Sequence, residues 1–182
     1  MAPADVTTTA SRVVYENRWM RVREDGIRRR DGSSGIYGVI EKTDFVVVAA
    51  VDGAGRLTLV EQFRYPIRAR VWELPQGMWE AAPGTDPLDL ARAELREETG
   101  LVAAEMAYAG HLLLAPGLAT QGYHVYRATG LTQGPPALEV SEQDLVSRAF
   151  PLAEVEAMLR DGTIKDATTH AAFGLLRLKG LL

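Results

Sequence analysis

The stretch from Asp86 to Gly100 constrains the fold of this 182-residue chain more than any other. Asp86 is a strong N-cap, Pro87 suits the first helical position, and Asp89 favours the positive end of a helix dipole. Gly100 suits the left-handed residue that follows a helix. These bounds predict a helix from Pro87 to Thr99. On that helix Glu94, Glu97 and Glu98 are spaced i, i+3, i+4, so they share one arc of about 100°. Leu88, Leu90, Ala91 and Leu95 fall in or beside the same arc. Asp89, Arg92, Ala93 and Arg96 fall on the other side. The glutamates therefore border the apolar strip that must face the rest of the fold, not the arginine-rich surface.

That placement has a physical cost. Three carboxylates at the edge of a core repel one another and lose hydration. Basic side chains from elsewhere can offset this, or divalent metal ions can. An all-oxygen donor set suits Mg²⁺ or Mn²⁺. A solvated acidic helix end is the alternative, since Glu is a common helix former.

The chain around this helix reads as α+β, a mixed sheet with few helices. Residues 1–10 read as a loose N-terminal end. From Ser11 to Phe63 the pattern is a meander of strands, punctuated by the turns Asp31–Gly35 and Asp52–Gly55. The longest apolar run, Phe45–Val51, is far shorter than a membrane span. Residues 66–85, with three prolines and two glycines, read as irregular. After the helix, strands are expected near 106–114, 123–129 and 145–150, then helices near 152–160 and 166–179.

Composition excludes several classes. With 20 basic and 24 acidic residues the chain is mildly acidic, without the footprint of a non-specific nucleic-acid binder. There is no cysteine, hence no disulfide, thiolate metal site or thiol nucleophile. Without an apolar leader the expected compartment is the cytoplasm. His111, His124 and His170 lack zinc-ligand spacing, and the first two read as packed or hydrogen-bonded strand residues.

The segments Gly77–Pro87 and Ala93–Leu101 together resemble the Nudix box, Gly-x5-Glu-x7-Arg-Glu-U-x-Glu-Glu-x-Gly-U, where U is a bulky aliphatic residue. Glu94 to Leu101 match at each fixed position. The first half departs: seven residues separate Gly77 from Thr85 instead of five, Thr85 stands in place of Glu, and Ala93 in place of Arg. Glu61–Pro66, Trp72–Gly77, Ala115–Gly117 and Asp161–Ala167 resemble the branch that cleaves ADP-ribose and nucleotide sugars, as does the strand meander before the box.

The resemblance implies a Nudix fold: a mixed β-sheet sandwiched by helices, with an N-terminal antiparallel strand meander at 11–43 and the hydrolase domain at 44–182. It implies a metal-dependent hydrolase cleaving the diphosphate of a nucleoside diphosphate linked to a sugar, with Mg²⁺ or Mn²⁺ as cofactor. By position, Glu94, Glu97, Glu98 and the backbone carbonyl of Gln76 become metal ligands, with Glu97 and Glu98 catalytic. Glu142, or else Glu139, becomes the loop carboxylate that acts as base. Arg64 and Glu73 become substrate-binding residues. Trp19, Trp72 and Trp79 are either base-stacking or packing residues. The implied partners are a small nucleotide substrate, no nucleic acid or membrane, and a second copy of the chain. That homodimer would form through the N-terminal strands, with Tyr15, Trp19 and Tyr37 supplying apolar surface. A non-catalytic nucleotide sensor and a triphosphate pool-cleaning enzyme are the competing readings.

Overall fold

A computed structural model describes residues 5–79, 84–135 and 144–182. The chain divides into two units, one of Met1–Asp44 with Leu113–Gly122, the other of Phe45–Leu112 with Tyr123–Leu182.

The first unit is built on an antiparallel sheet in the order β1-β2-β3, comprising β1 (Val6–Glu16), β2 (Arg21–Arg29) and β3 (Ser34–Glu41). β1 starts at Val6, inside the stretch that the sequence reads as a loose end. Thr7 and Thr8, both β-branched, pair with Arg28 and Ile27 of β2, and Thr9 lies at the register shift before Ala10. The excursion 113–122 is fastened to the end of β3: Ile40 N–H donates to Leu118 O, Thr120 N–H donates to Ile40 O, and Tyr37 Oη donates to Gly117 O, each at 2.9 Å.

The second unit carries two further sheets. One has the order β10-β5-β6, from β10 (Val146–Pro151), β5 (Arg56–Arg64) and β6 (Ala69–Glu73). The other has the order β7-β4-β9-β8, from β7 (Gln76–Gly77), β4 (Phe45–Ala50), β9 (Gly122–Gln133) and β8 (Leu101–Leu113). β4 runs parallel to β9 and antiparallel to β7, so the sheet is mixed. Three helices complete the unit: α1 (Pro87–Thr99), α2 (Leu152–Asp161) and α3 (Ala167–Leu178).

The apolar run of β4 is explained by burial on both faces, which removes the need for polar alternation. Val46, Val48 and Ala50 pack with Leu90, Ala91 and Leu95 of α1 and with Tyr126 and Ala128 of β9. Val47 and Ala49 point the other way, into a core with Leu57, Leu59, Leu74, Val155, Phe173 and Leu176. Two layers of side chains thus meet back to back on one strand.

The described stretch from 66 to 79 is more regular than its prolines suggest. A single 3₁₀ turn at Tyr65–Ile67, closed by Arg68 in the left-handed conformation at φ 50°, returns the chain into β6. Pro66 and Pro75 bracket β6 without interrupting its ladder, which pairs Val60 with Glu73 and Arg64 with Ala69. Among the described residues no helix is long and apolar enough to cross a membrane.

Candidate active site

Helix α1 forms as its ends dictate. The Asp86 carboxylate accepts from Leu88 N–H at 2.8 Å, and Gly100, at φ 73°, donates its N–H to Arg96 O. The apolar strip of Leu90, Ala91 and Leu95 fixes the helix against β4. That contact alone sets the azimuth of the glutamates. Glu94 is 7% exposed and Glu98 2%, while Glu97 is half-buried at the rim. The solvated acidic helix end is therefore excluded for two of the three carboxylates.

The turn between β6 and β7 crosses beneath them. The Glu98 carboxylate accepts from Gln76 N–H at 3.1 Å. Gly77 lies against Glu94, and a β-carbon built on Gly77 would overlap the whole carboxylate group. Val48 N–H donates to Pro75 O at 2.9 Å, which ties the same turn to β4.

Arg64 and Glu73, expected as separate substrate-binding residues, form one bidentate ion pair. Arg64 Nε donates to Glu73 Oε1 at 2.8 Å and Nη2 to Oε2 at 2.7 Å. The β5–β6 register sets Ala69 opposite Arg64 and Val60 opposite Glu73, so the long Arg64 side chain reaches along the hairpin to the Glu73 carboxylate. Glu73 is only 2% exposed, and Gln76 Nε2 also donates to it. Burial by itself lowers the Arg64 pKa. The hydrogen bonds and charge of Glu73, with the charges of Glu98 and Asp166, outweigh that, and the guanidinium is held above its ordinary value. Three buried or half-buried carboxylates thus act on one permanently charged group.

The donor set fits a hard divalent cation. Glu94 and Glu98 offer carboxylate oxygens from one face of α1, and Glu97 stands beside them. The side-chain Oε1 of Gln76 is buried with no hydrogen-bond partner among the described residues. Oxygen donors gathered in this way suit Mg²⁺ or Mn²⁺ and not a soft-ligand metal.

Other expected residues fall outside this group. Trp72 packs edge-on against Phe150, with ring centroids 5.0 Å apart, and Trp79 packs on the α1 core. Trp19 is exposed beneath the Arg18 guanidinium. The rings of His111 on β8 and His124 on β9 lie tilted against one another with centroids 4.8 Å apart, His124 Nδ1 lies 3.3 Å from Tyr108 Oη, and His170 Nε2 is 2.9 Å from Ile164 O. Glu139, Glu142 and Glu80 lie outside the described residues. Ala93, in place of the expected arginine, lines a hollow of about 310 Å³ with Arg92, Arg96, Val102 and Ala103.

The chain belongs to the Nudix family. Residues 41–173 match the NUDIX domain, and residues 6–40 match the nucleoside diphosphate sugar hydrolase N-terminal domain. The fold and the glutamate helix together define a Nudix hydrolase. Among characterised proteins it is 33% identical to the ADP-ribose pyrophosphatase of Mycobacterium tuberculosis, over 94% of this chain and 83% of that one. It is 27% identical to the methanol dehydrogenase activator of Bacillus methanolicus, over 96% and 94% of the two chains. The ADP-ribose pyrophosphatase of Bacillus subtilis is 26% identical, over 100% of this chain and 98% of that one. A crystal structure of an ADP compounds hydrolase superposes with a TM-score of 0.84 at 22% identity, covering 98% of this chain and 97% of its own.

Proposed function

We propose that this protein hydrolyses the diphosphate bridge of a nucleoside diphosphate joined to a sugar, with ADP-ribose as the leading substrate. Water adds to one phosphorus, the bridging P–O bond breaks, and the products are a nucleoside monophosphate and a sugar phosphate. The observation that carries this reading is the burial of Glu94 and Glu98 against the Gln76–Gly77 turn. The match of residues 6–40 to a nucleoside diphosphate sugar hydrolase domain supports the substrate class, as do the two ADP-ribose pyrophosphatase relatives.

In this reading Glu94, Glu97, Glu98 and the Gln76 carbonyl hold Mg²⁺, with Mn²⁺ able to replace it. Bound there, the cation offsets the charge of the diphosphate and favours attack by water. The chain's own residues do the rest. Gly77 admits the Glu94 carboxylate, Glu98 holds the turn through Gln76 N–H, and Glu73 orients Arg64 toward an anionic substrate. Glu142, four residues before β10 in the sequence, serves as the base, with Glu139 as second choice.

The functional particle is proposed to be a homodimer in the cytoplasm. All eleven residues of β1 are exposed, Val13, Val14 and Tyr15 among them, and Trp19 adds a further half-exposed aromatic. A second copy covering this face would remove that apolar surface from water.

The test is product release from a panel of ADP-ribose, nucleotide sugars, dinucleotides and triphosphates, with Mg²⁺ and with Mn²⁺. ADP-ribose or a nucleotide sugar should give the highest kcat/KM. Glu94→Gln and Glu98→Gln should each lower kcat by about 10²-fold or more, with helix content unchanged. Near-normal turnover in both variants overturns the assignment of these residues, and preference for triphosphates overturns the substrate class.

A further inference from the structure

The three residues that follow β6 anchor to three different elements through their backbone polar groups. Leu74 lies just past the β5–β6 ladder, so its N–H has no strand partner; it donates to Thr169 Oγ1 of α3 at 2.9 Å. Pro75 has no N–H, and its carbonyl accepts from β4. Gln76 N–H goes to Glu98 of α1. The catalytic turn is thus suspended between three supports, and the one from α3 is a side chain.

That side chain is fixed in turn. Thr169 is fully buried. Its hydroxyl donates to Asp166 Oδ2 at 2.7 Å, and the same oxygen accepts Thr169 N–H at 2.8 Å as the N-cap of α3. With its proton committed to Asp166, the hydroxyl can only present a lone pair to Leu74. The direction of the hydrogen bond is therefore set by the cap. Asp166 also contributes to the field that holds Arg64 charged.

We propose that Thr169, oriented by Asp166, is a positioning residue for the metal-binding and substrate-binding turn. Without its hydroxyl the Leu74 amide is left buried and unpaired, and the chain must shift to find another partner. Glu73 lies one residue before Leu74 and Gln76 two residues after it. A shift moves both the partner of Arg64 and the oxygen donors beside Glu98. A displacement near 1 Å is enough to lower turnover substantially. The inference rests on the assignment of Glu94, Glu98 and Gln76 made above.

The experiment compares Thr169→Val, which keeps the shape and removes the hydroxyl, with Thr169→Ser, which keeps it. Mn²⁺ binding to the full-length protein is measured by the paramagnetic resonance of free Mn²⁺, beside kcat, KM and the melting temperature. Thr169→Val should weaken Mn²⁺ binding about tenfold and lower kcat about tenfold, on the scale known for residues that orient metal ligands. Thr169→Ser should stay within about twofold of wild type in both. A Thr169→Val protein that melts earlier but binds Mn²⁺ and turns over as wild type overturns the proposal. If the valine variant fails to fold, Thr169→Cys, a poor acceptor of similar size, takes its place with the same two outcomes. Glu98→Gln is run in parallel. If it binds Mn²⁺ and turns over normally, the site assignment fails. If it is impaired and Thr169→Val is not, only the positioning role fails.

Discussion

Gly77 and the Glu94 carboxylate occupy space that only a glycine leaves open: any side chain at 77 would displace the glutamate. The clash falls on the far end of a flexible side chain, so the neighbour can swing away at small cost in stability. Gly77→Ala should therefore shift stability by no more than about 1–3 kcal/mol, the usual cost of overpacking, while kcat falls at least tenfold because Glu94 no longer points at the turn. Thermal melts and turnover on one sample separate the two effects.

Arg64 and Glu73 should behave as a unit. Arg64→Met leaves Glu73 buried with Gln76 Nε2 still donating to it, and stability should fall by roughly 1–3 kcal/mol. KM should rise more than kcat falls, because the guanidinium is assigned to holding substrate. Adding Glu73→Gln to Arg64→Met should recover part of the stability, since it removes the stranded charge. Denaturant titration of the single and double variants reads this directly.

Thr85 and Ala93 stand where the family pattern has Glu and Arg, and the enzyme is expected to be active as it is. An arginine at 93 would enter the hollow lined by Arg92 and Arg96, beside two like charges. Thr85→Glu with Ala93→Arg should change stability by no more than ~1 kcal/mol, the scale of an exposed ion pair. It should change kcat by less than about tenfold. An inactive wild type rescued by the double change would instead support a non-catalytic sensor.

The turn between β4 and β5 carries a pH dependence. The Asp52 carboxylate accepts from Arg56 N–H and Ala54 N–H, both at 2.9 Å, and from Arg56 Nε at 2.7 Å. The Arg56 amide bond is the largest cause of a pKa below the ordinary carboxylate value; partial burial opposes it. A depressed folded pKa contributes stability above the unfolded value of 3.8 and loses it as pH falls through the folded one. Asp52→Asn should lower the melting temperature at neutral pH, and the gap to wild type should close below the ordinary carboxylate range. A gap that stays constant into acid would contradict this.

The parts of the site that follow a helical period were legible in the sequence. Glu94 and Glu98 could be placed at the core edge because 3.6 residues per turn and Leu90, Ala91 and Leu95 define one strip. The partnership of Arg64 with Glu73 was not legible, since strand pairing sets Arg64 opposite Ala69 and Glu73 opposite Val60, and only the reach of the arginine side chain joins them. Thr169 was less legible still. Its partner Leu74 is 95 residues away, and a threonine near a helix N-terminus has an ample local explanation as a capping residue. The strand at Val6–Ala10 escaped because its residues are small, polar and wholly exposed, so no apolar alternation marks it. Glu142 was chosen from the sequence alone and lies outside the described residues.

The back-to-back packing of β4 makes the catalytic half of this unit separately adjustable. Val46 and Val47 are neighbours in the chain, yet one supports the helix bearing the glutamates and the other supports the layer beneath α2 and α3. A methyl group lost at Val46 is felt first by α1, and so by the edge proposed to hold the cation. The same loss at Val47 is felt first by the layer that contains Leu74 and holds the turn from behind. Two adjacent codons thus reach the same chemistry from opposite sides, and small changes in one can retune the site while the other keeps the scaffold intact.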